Sequence, residues 1–448
     1  MQKVYLYSSL GNALQEFVPL VPNEVSFYVC GPTVYNHPHI GNIRPVIVFD
    51  TWRRLFLELG YKVTFVSNYT DVDDKIIARA AELGVSEQEL TTSVIKEYEE
   101  AVHAVGSMIP DVTPKPTVYM PQIISYIDDL VKTGYAYQSN DGVYFRVSKI
   151  KDYGSLSGNT PESLLSGARI EVNEGKESPL DFALWKETST GIRWETPWCV
   201  GRPGWHTECC VMIHSLFPKT NGLIDIHGGG FDLKFPHHEN EIAQAEAHNG
   251  NHLAHYWLHN GFININNEKM SKSLGNVLLA TDVIKMYGGA ALRLMILNAH
   301  YRAPVSFSEE TISEAQKNVK KIETTLKSLV LALQSAGRDL ENVKGQGEEE
   351  FLHELCQDLN TPNAITILYG EVKNANQLLR TKDVDLDLVE QSFAKIRDYL
   401  RILGLPVEIK YLTNSELGLY CQYLEAKQNK DFVESDRLRK ILVEGGIL

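Results

Sequence analysis

Apolar positions in the first 70 residues follow two periodicities in turn. Residues 24–30 (EVSFYVC) and 62–68 (KVTFVSN) are short, mostly apolar runs of the kind that form buried strands. Between them the apolar residues recur at helical spacing, at Val46, Phe49, Trp52, Leu55 and Leu59, and the run stops at Gly60. This order predicts a βαβ unit and therefore a parallel sheet with crossover helices.

The pattern changes twice further along the chain. From 111 to about 200 it weakens into segments containing Pro, Gly and Ser, with short strands such as GVYFRV (142–147), which is typical of an insertion. A second strand–loop–helix unit follows at 222–248, and the apolar stretch YWLHNGFINI leads into NNEKMSKSLGN. After about 290 we expect no further strands, because amphipathic helices such as 308–334 and 362–379 dominate.

Composition limits the class of protein. The 448 residues exceed what one core usually serves, and 43% hydrophobic with 22% charged residues is typical of globular domains. No apolar run reaches the ~18 residues of a membrane span, and the N-terminus has no secretion signal, so we expect a cytoplasmic protein without membrane association. The net charge of −14 argues against indiscriminate nucleic-acid binding. Six cysteines in a chain of this length predict buried thiols or metal ligands.

Residues 227–241 (HGGGFDLKFPHHENE) combine three histidines with acidic residues. In a helix over the end of this stretch, His237 and Glu241 would share a face, which is ligand spacing for a divalent metal. A zinc-protease helix is excluded, because four residues after His238 stands Ile242. A lipase oxyanion loop is excluded because the chain has no Gly-x-Ser-x-Gly elbow. Hydrogen-bonded structural histidines remain the alternative to a metal site.

Two thiols are candidates to complete a metal site. Cys30 ends the first strand, and Cys209 or Cys210 precedes the second strand unit. In a parallel sheet both positions approach the same edge, and zinc accepts Cys, His and Glu together. The residues alone do not choose between the two neighbouring cysteines.

A second constellation pairs HPHIGN (37–42) with KMSKS (269–273). Histidine and asparagine at a helix start are hydrogen-bond donors where a triphosphate would lie, and two lysines can neutralise charge as phosphates separate. Read alone, KMSKS could be an exposed basic turn. Its combination with HIGN in a βαβ context favours a nucleotide site.

Several long segments, in one order, resemble a known family. They are YVCGPTVYNHPHIGN, NYTDVDDKII, DFALWK, GRPGWHTECC, DIHGGGFDLKFPHHENEIAQAEA and EKMSKSLGN. The chain resembles class I aminoacyl-tRNA synthetases, with HIGN standing for the His-Ile-Gly-His signature and KMSKS matching the second signature in full. Within that class the segments are similar to cysteinyl-tRNA synthetases.

The resemblance implies four groups of site residues. The zinc ligands of the cysteinyl-tRNA synthetases correspond to Cys30, Cys209, His237 and Glu241. Its ATP-binding positions fall on Pro32, Thr33, His39, Gly41, Asn42, Lys269, Met270, Ser271, Lys272 and Ser273. The positions matched to catalysis are His39, Asn42, Lys269 and Lys272. Its amino-acid pocket is similar at Gly31, Thr70, Trp205, His206 and Asp232.

The resemblance also implies an architecture. The fold class is α/β, with a Rossmann-like parallel-sheet catalytic domain, an insertion and a C-terminal all-α helical bundle. The implied units are two catalytic halves (1–110 and 201–290), an insertion (111–200), a stem-contact linker (291–312), a tRNA-binding bundle (313–403) and a small C-terminal tRNA-binding region (404–448) that is expected to be shortened.

The implied activity is cysteine:tRNA ligation. ATP would convert L-cysteine to cysteinyl-adenylate, and the cysteinyl group would pass to the terminal ribose of tRNA-Cys. One zinc ion per chain would select the substrate thiolate, Mg²⁺ would accompany ATP, and the chain would act as a monomer. Asn42 departs from the second signature histidine and cannot carry a proton charge. The alternatives are a small-molecule cysteine ligase and a catalytically inactive, zinc-containing RNA-binding homologue.

Overall fold

The computed structural model describes residues 2–160, 175–265, 268–269, 277–340, 343, 345 and 348–448. The strands are β1 Tyr5–Ser8, β2 Ala13–Glu16, β3 Glu24–Val29, β4 Lys62–Ser67, β5 Ala136–Ser139, β6 Gly142–Phe145, β7 Phe182–Glu187, β8 Gly201–Pro203, β9 Ile224–Gly230, β10 Ala254–Asn260, β11 Ile263–Ile265, β12 Glu268–Lys269 and β13 Val305–Phe307.

The α-helices fall into two groups along the chain. Those before residue 300 are α1 Ile40–Glu58, α2 Asp74–Leu83, α3 Glu87–Ala104, α4 Met120–Lys132, α5 Trp205–Leu216, α6 Glu239–Asn249, α7 Ala280–Tyr287 and α8 Gly289–Leu297. Those after it are α9 Glu309–Ser335, α10 Glu349–Cys356, α11 Thr361–Leu378, α12 Leu386–Leu403, α13 Asn414–Gln428 and α14 Phe432–Glu444. Within the described ranges, none of these helices is long and apolar enough to cross a membrane.

The central sheet has the strand order β10-β9-β3-β4, and all its strands are parallel. The predicted parallel sheet with a crossover helix is therefore confirmed, since β3, α1 and β4 form the βαβ unit. The β3 residues Phe27, Tyr28 and Val29 are buried, because the sheet is covered on both faces. The carboxyl ends of β3, β9 and β10 meet at one edge, where the candidate site lies.

Helix α1 begins at Ile40, six residues before Val46, the first of the apolar positions that predicted it. The HIGN signature thus forms its first turn. His39 is the N-cap residue, and its backbone N–H donates to Asn42 Oδ1 at 3.1 Å. The helix ends at Glu58, and Gly60 follows at φ +86, a conformation that glycine adopts without strain.

The segment predicted as an insertion supplies β5, β6 and β7 of an antiparallel sheet of order β5-β6-β7-β8, and β8 lies just past the predicted boundary at 200. The GVYFRV stretch supplies β6, which pairs with both β5 and β7. The buried side chains of this sheet share a core with α4, α5 and α6. The insertion therefore packs directly against the helix that bears Cys209.

The expectation of no strand after about 290 is wrong at one place. Strand β13 pairs in parallel with β11. Ile263 lies opposite Val305, so the paired residues are 42 positions apart in the chain. A three-residue edge strand has too few positions to show a period of two, so its sequence gives no strand signal. Arg44 of α1 supports this joint by donating to the carbonyl oxygens of Phe262 at 2.5 Å and Tyr301 at 3.0 Å.

The C-terminal helices α9–α12 pack together, and the predicted helical character of this region is confirmed. A fully buried arginine, Arg293 of α8, joins these helices to α1, which packs on the central sheet. Its guanidinium donates to the Leu403 carbonyl oxygen at 2.6 Å, to the Val105 carbonyl oxygen at 3.2 Å and to Asp50 Oδ2 at 2.5 Å. One side chain thereby connects α1, the end of α3 and the end of α12.

Candidate active site

A cleft of about 460 Å³ opens at the carboxyl edge of the central sheet. This volume is in the range of small-molecule sites, about 300–1,000 Å³. The residues lining it that the sequence predicted as site residues are Cys30, Gly31, Pro32, Thr33, His39, Gly41, Asn42, Trp205 and Asp232. Lys75, which the sequence reasoning did not select, lines it as well and adds a cation.

At one end of the cleft, Cys30, Cys209, His237 and Glu241 come together. One ligand atom from each lies within 4.8 Å of all the others. Cys30 Sγ is 3.7 Å from Cys209 Sγ and 3.8 Å from Glu241 Oε1. Cys209 Sγ is 3.9 Å from His237 Nε2, and His237 Nε2 is 2.9 Å from Glu241 Oε1. Thus the structure brings together all four residues at which the resemblance places zinc ligands.

This donor set fits a tetrahedral zinc ion. Bond lengths of about 2.3 Å to sulfur and about 2.0–2.1 Å to nitrogen or oxygen separate tetrahedral ligand atoms by about 3.3–3.8 Å. The three distances that involve sulfur are close to that range, and the His237–Glu241 pair is shorter because a hydrogen bond joins it. Two thiols, an imidazole and a carboxylate also match zinc's preference for sulfur and nitrogen.

The charges of the four residues favour a cation. The hydrogen bond from Cys30 lowers the pKa of Cys209 to about 6, although burial opposes this shift. Burial lowers the pKa of His237, but Glu241 and Cys209 raise it by more, to about 10. A site that holds positive charge on a buried imidazole also stabilises a divalent cation, which displaces that proton when it binds.

A second group of donors, Cys30, His227, His238 and Glu241, also satisfies the distance criterion. We favour the first group, since it supplies two thiols and zinc prefers sulfur ligands. His227 Nε2 bonds to Glu241 Oε2 at 2.7 Å, and His238 Nδ1 bonds to His259 Nε2 at 2.8 Å. Glu241 therefore uses Oε1 towards His237 and Oε2 towards His227.

His227 is a residue to which the sequence reasoning gave no role, although it lies in the histidine-rich stretch. It is fully buried in β9, and its ring stacks on Trp257 at 4.5 Å between centroids. The bond from its Nε2 fixes the Glu241 carboxylate, as hydrogen-bonded partners commonly orient metal ligands. Its place near the carboxyl end of a parallel strand is the signal that could have identified it.

Two of the residues predicted for the amino-acid pocket, His206 and Thr70, lie behind the cleft lining. His206 Nδ1 is 3.1 Å from His237 Nδ1, so the two imidazoles share a hydrogen bond that leaves His237 Nε2 directed at the other donors. Burial lowers the pKa of His206 to about 3, so its ring is neutral. Trp205 stacks on His237 at 4.1 Å and forms a wall of the cleft.

The other end of the cleft is formed by the N-terminus of α1. Helix N-termini attract phosphate groups, since their backbone N–H groups are unpaired within the helix. Asn42 Oδ1 accepts the His39 N–H, so its amide can still donate from Nδ2 but does not replace a histidine charge. The HIGN signature therefore lies at the end of the helix whose dipole favours negative charge.

Part of the second signature lies outside the described residues. Positions Met270, Ser271, Lys272 and Ser273 are not described, and of Lys269 only the backbone, in β12, is. The described residues resume at 277, and this segment contacts the first signature. Ile40 N–H donates to the Leu278 carbonyl oxygen at 3.0 Å, and Ala280 N–H donates to the Pro38 carbonyl oxygen at 2.9 Å. The described segment that begins at residue 277 therefore adjoins the first signature.

Comparison with protein families gives the class. Residues 16–317 match the family model described as tRNA synthetases class I (C) catalytic domain, and residues 350–408 match the DALR domain. The first match covers more than half of the chain. The chain therefore belongs to the class I aminoacyl-tRNA synthetases, and the resemblance drawn from its motifs is confirmed.

Curated relatives narrow the class to one family. The cysteine–tRNA ligase of Anoxybacillus flavithermus is 44% identical over 453 residues, which cover 99% of this chain and 97% of the relative. That of Bacillus cytotoxicus is 45% identical over 454 residues with the same coverage. Within class I, the chain belongs to the cysteine–tRNA ligase family.

Solved structures support the fold alone. Mycobacterium tuberculosis methionyl-tRNA synthetase bound by methionyl-adenylate superposes with a TM-score of 0.63 at 16% identity, over 92% of this chain and 96% of that one. The LeuRS in a ternary complex from Agrobacterium radiobacter gives a TM-score of 0.61 at 11% identity, over 87% and 84%. The predicted α/β class with a parallel sheet and a C-terminal helical region is confirmed.

Proposed function

We propose that the chain is an ATP-dependent cysteine:tRNA ligase that acts as a monomer and holds one zinc ion. The observation that carries the proposal is the position of the four-donor cluster at the end of the same cleft that contains the N-terminus of α1. A thiol-recognising end and an anion-recognising end in one cleft suit a reaction between cysteine and ATP.

The proposed reaction has two steps. In the first, a carboxylate oxygen of cysteine attacks the α-phosphorus of ATP, and the bond to the bridging oxygen of pyrophosphate breaks. In the second, a hydroxyl of the terminal tRNA ribose attacks the carbonyl carbon of the adenylate, AMP leaves, and the hydroxyl proton passes to solvent. Alignment and charge stabilisation contribute most to such phosphoryl chemistry.

The residues of the α1 end would stabilise the phosphates. His39 and Asn42 are proposed to donate to them, and the matched positions Lys269 and Lys272 are proposed to neutralise charge as pyrophosphate separates. Mg²⁺ would enter with ATP, bound mainly by phosphate oxygens. Gly31, Trp205 and Asp232 line the space between the two ends and are proposed to position the amino acid.

Substrate selection is the proposed role of the metal end. Serine differs from cysteine by one atom, and an apolar pocket separates such near-isosteres by only about 1–3 kcal/mol. Zinc held by Cys30, Cys209, His237 and Glu241 would supply a Lewis acid that binds a thiolate far better than an alcohol. Selection at that level needs no separate editing site.

We assign the transfer of cysteine to tRNA to the remaining parts of the chain. The insertion (111–200) is proposed to meet the acceptor end, and the helices from 291 onward are proposed to form the stem-contact linker (291–312), the tRNA-binding bundle (313–403) and the small C-terminal region (404–448). A small acceptor would have no use for so large a helical region, which disfavours the small-molecule ligase alternative.

The test measures the activation of cysteine and its transfer separately, with tRNA and an aminosugar as the two acceptors. We expect cysteine-dependent exchange of pyrophosphate into ATP and charging of purified tRNA, with serine activated far less than cysteine. Exchange accompanied by transfer only to an aminosugar would overturn the tRNA assignment in favour of a small-molecule ligase. Absence of exchange in the zinc-loaded protein would overturn the enzyme assignment.

A further inference from the structure

Behind the cleft, a chain of buried side chains runs from the backbone beside one cysteine to the residue beside the other. Gly31 follows Cys30, and its N–H donates to Asn68 Oδ1 at 2.9 Å. Asn68 Nδ2 donates to Thr70 Oγ1 at 3.1 Å, and Thr70 Oγ1 donates to Glu208 Oε2 at 3.3 Å. Glu208 precedes Cys209, so the chain of bonds links the neighbours of the two thiols.

Every side chain of this link is buried. Asn68, Thr70 and Glu208 are each at most 2% exposed. Within the described residues no lysine, arginine or histidine forms an ion pair with Glu208, although other buried carboxylates, such as Asp50, have a cationic partner. Burying a carboxyl without such a partner lowers the stability of the fold. A residue that does so is more typical of a functional site than of a hydrophobic core.

The backbone around the link is equally constrained. The Thr70 N–H donates to the Pro32 carbonyl oxygen, and the Val34 N–H donates to the Thr70 carbonyl oxygen, both at 3.1 Å. A Cβ at Gly31 would lie 1.6 Å from the carbonyl oxygen of Asn68. Only glycine permits this approach, so the segment after Cys30 is held directly against the segment that carries Asn68 and Thr70.

The two thiols themselves come from unrelated elements. Cys30 follows strand β3, whereas Cys209 lies in the second turn of α5. Asn68 Oδ1 also lies 3.9 Å from Cys209 Sγ. This one amide oxygen therefore contacts both Cys209 and the backbone N–H of Gly31, the residue after Cys30. Supporting hydrogen bonds of this kind fix the orientation of metal ligands, and their loss commonly costs about 10–100-fold in metal affinity.

We propose that Asn68, Thr70 and Glu208 are positioning residues that hold Cys30 and Cys209 at the separation a metal ion requires. The inference rests on the proposed function for the presence of zinc. It adds to that proposal the residues that fix the relative positions of the two thiols. None of the three residues is a metal ligand in this proposal. They act through the backbone of Gly31 and through the helix position of Glu208.

Thr70→Val is the main test, because it removes the hydroxyl at the centre of the link and keeps the shape of the side chain. We expect zinc affinity, measured by competition with a chelator, to fall about 10–100-fold. We also expect the visible spectrum of the Co²⁺-substituted protein to change, because that spectrum reports ligand geometry. Glu208→Ala should give the same two changes, and Glu208→Gln, which retains an acceptor, should restore zinc affinity towards the wild-type value.

Asp225→Asn is the matched control. Asp225 is a buried carboxyl at the opposite end of the same sheet, where it accepts N–H bonds from Leu20 and Ser26. We expect this variant to lose stability and to keep the zinc affinity and Co²⁺ spectrum of the wild type. Unchanged zinc affinity and spectrum in Thr70→Val would overturn the inference, and so would an equal loss of affinity in Asp225→Asn.

These measurements use the full chain without ATP, cysteine or tRNA. Failure of the proposed function would appear instead as absent pyrophosphate exchange or absent tRNA charging by the wild type. If the wild type charged tRNA and Thr70→Val kept its zinc geometry, only the positioning role would fall. A wild type that bound no zinc would overturn this inference and the metal part of the proposed function together.

Discussion

Cys30 Sγ lies 3.7 Å from Cys209 Sγ, although 179 positions separate the two residues in the chain. One thiol follows a central strand and the other lies in a helix that packs against the insertion. Glu241 and His237 approach the same point from the turn of chain that opens α6. The structure thereby assembles a soft, anionic donor set at one end of a cleft whose other end is a helix N-terminus.

Cys209 and its neighbour Cys210 provide the first prediction. Cys209→Ser should lower zinc affinity by more than about 100-fold. Removing a residue that only hydrogen-bonds a metal ligand already lowers metal affinity by about 10–100-fold, and removing the ligand itself should lower it further. Cys210→Ser should keep its zinc, since Cys210 Sγ donates to the carbonyl oxygens of His206 and Glu241. Metal analysis after dialysis against a chelator measures both. Full metal content in Cys209→Ser would show that the wrong cysteine had been assigned.

The two histidines at 237 and 238 distinguish the alternative donor groups. His237→Gln should abolish stoichiometric zinc, because His237 Nε2 belongs to the favoured group. His238→Gln should retain zinc, because His238 belongs only to the other group. Zinc stoichiometry of the two purified variants is the measurement. The opposite pattern would assign the metal to the group that contains His227 and His238.

The joint at Arg293 predicts a large effect on stability. Arg293→Met removes one of the two cationic partners of buried Asp50, and Arg54 remains as the other among the ion pairs of the described residues. Loss of the sole partner of a buried charge commonly costs about 3–5 kcal/mol; because Arg54 remains, we expect a loss near the lower end of that range, which urea unfolding would report. Arg437→Met is the control. Its pair with Glu434 is 58% and 41% exposed, so little change in the free energy of unfolding is expected.

The buried imidazole of His259 should make the stability of the protein depend on pH. Burial lowers its pKa to about 3 in the folded protein, whereas an unfolded histidine titrates at about 6.5. Between these values the proton binds only the unfolded state, so this contribution to stability is full above about pH 6.5 and falls by about 1.4 kcal/mol per pH unit below it. The free energy of unfolding should therefore fall less steeply between pH 6.5 and 5 in His259→Gln than in the wild type. Equal slopes would contradict the assignment.

Much of the architecture could be predicted because its signals are local. The apolar runs at 24–30 and 62–68 and the helical spacing between them define a βαβ unit without reference to the rest of the chain. The four-residue spacing of His237 and Glu241 likewise predicted that the two side chains meet, and they lie 2.9 Å apart. The parallel sheet then predicted that Cys30 ends at the functional edge.

The remainder depends on contacts between distant segments, which leave no periodic signal. Strand β13 exists because of its partner β11, and three residues are too few to show alternation. Glu208 and Asn68 lie in distant segments of the chain, and only the fold shows that Thr70 joins them. His227 was visible as a histidine in a strand, but its bond to Glu241 required the turn of chain between β9 and α6.

The most direct test of the central claim is zinc X-ray absorption of the loaded protein before and after addition of L-cysteine. We predict two sulfur ligands at about 2.3 Å without substrate, from Cys30 and Cys209, and a third sulfur when cysteine is added. Serine should leave the sulfur count at two. An unchanged count with L-cysteine, or a zinc ion without two protein sulfurs, would contradict the proposal that a thiol is selected at this site.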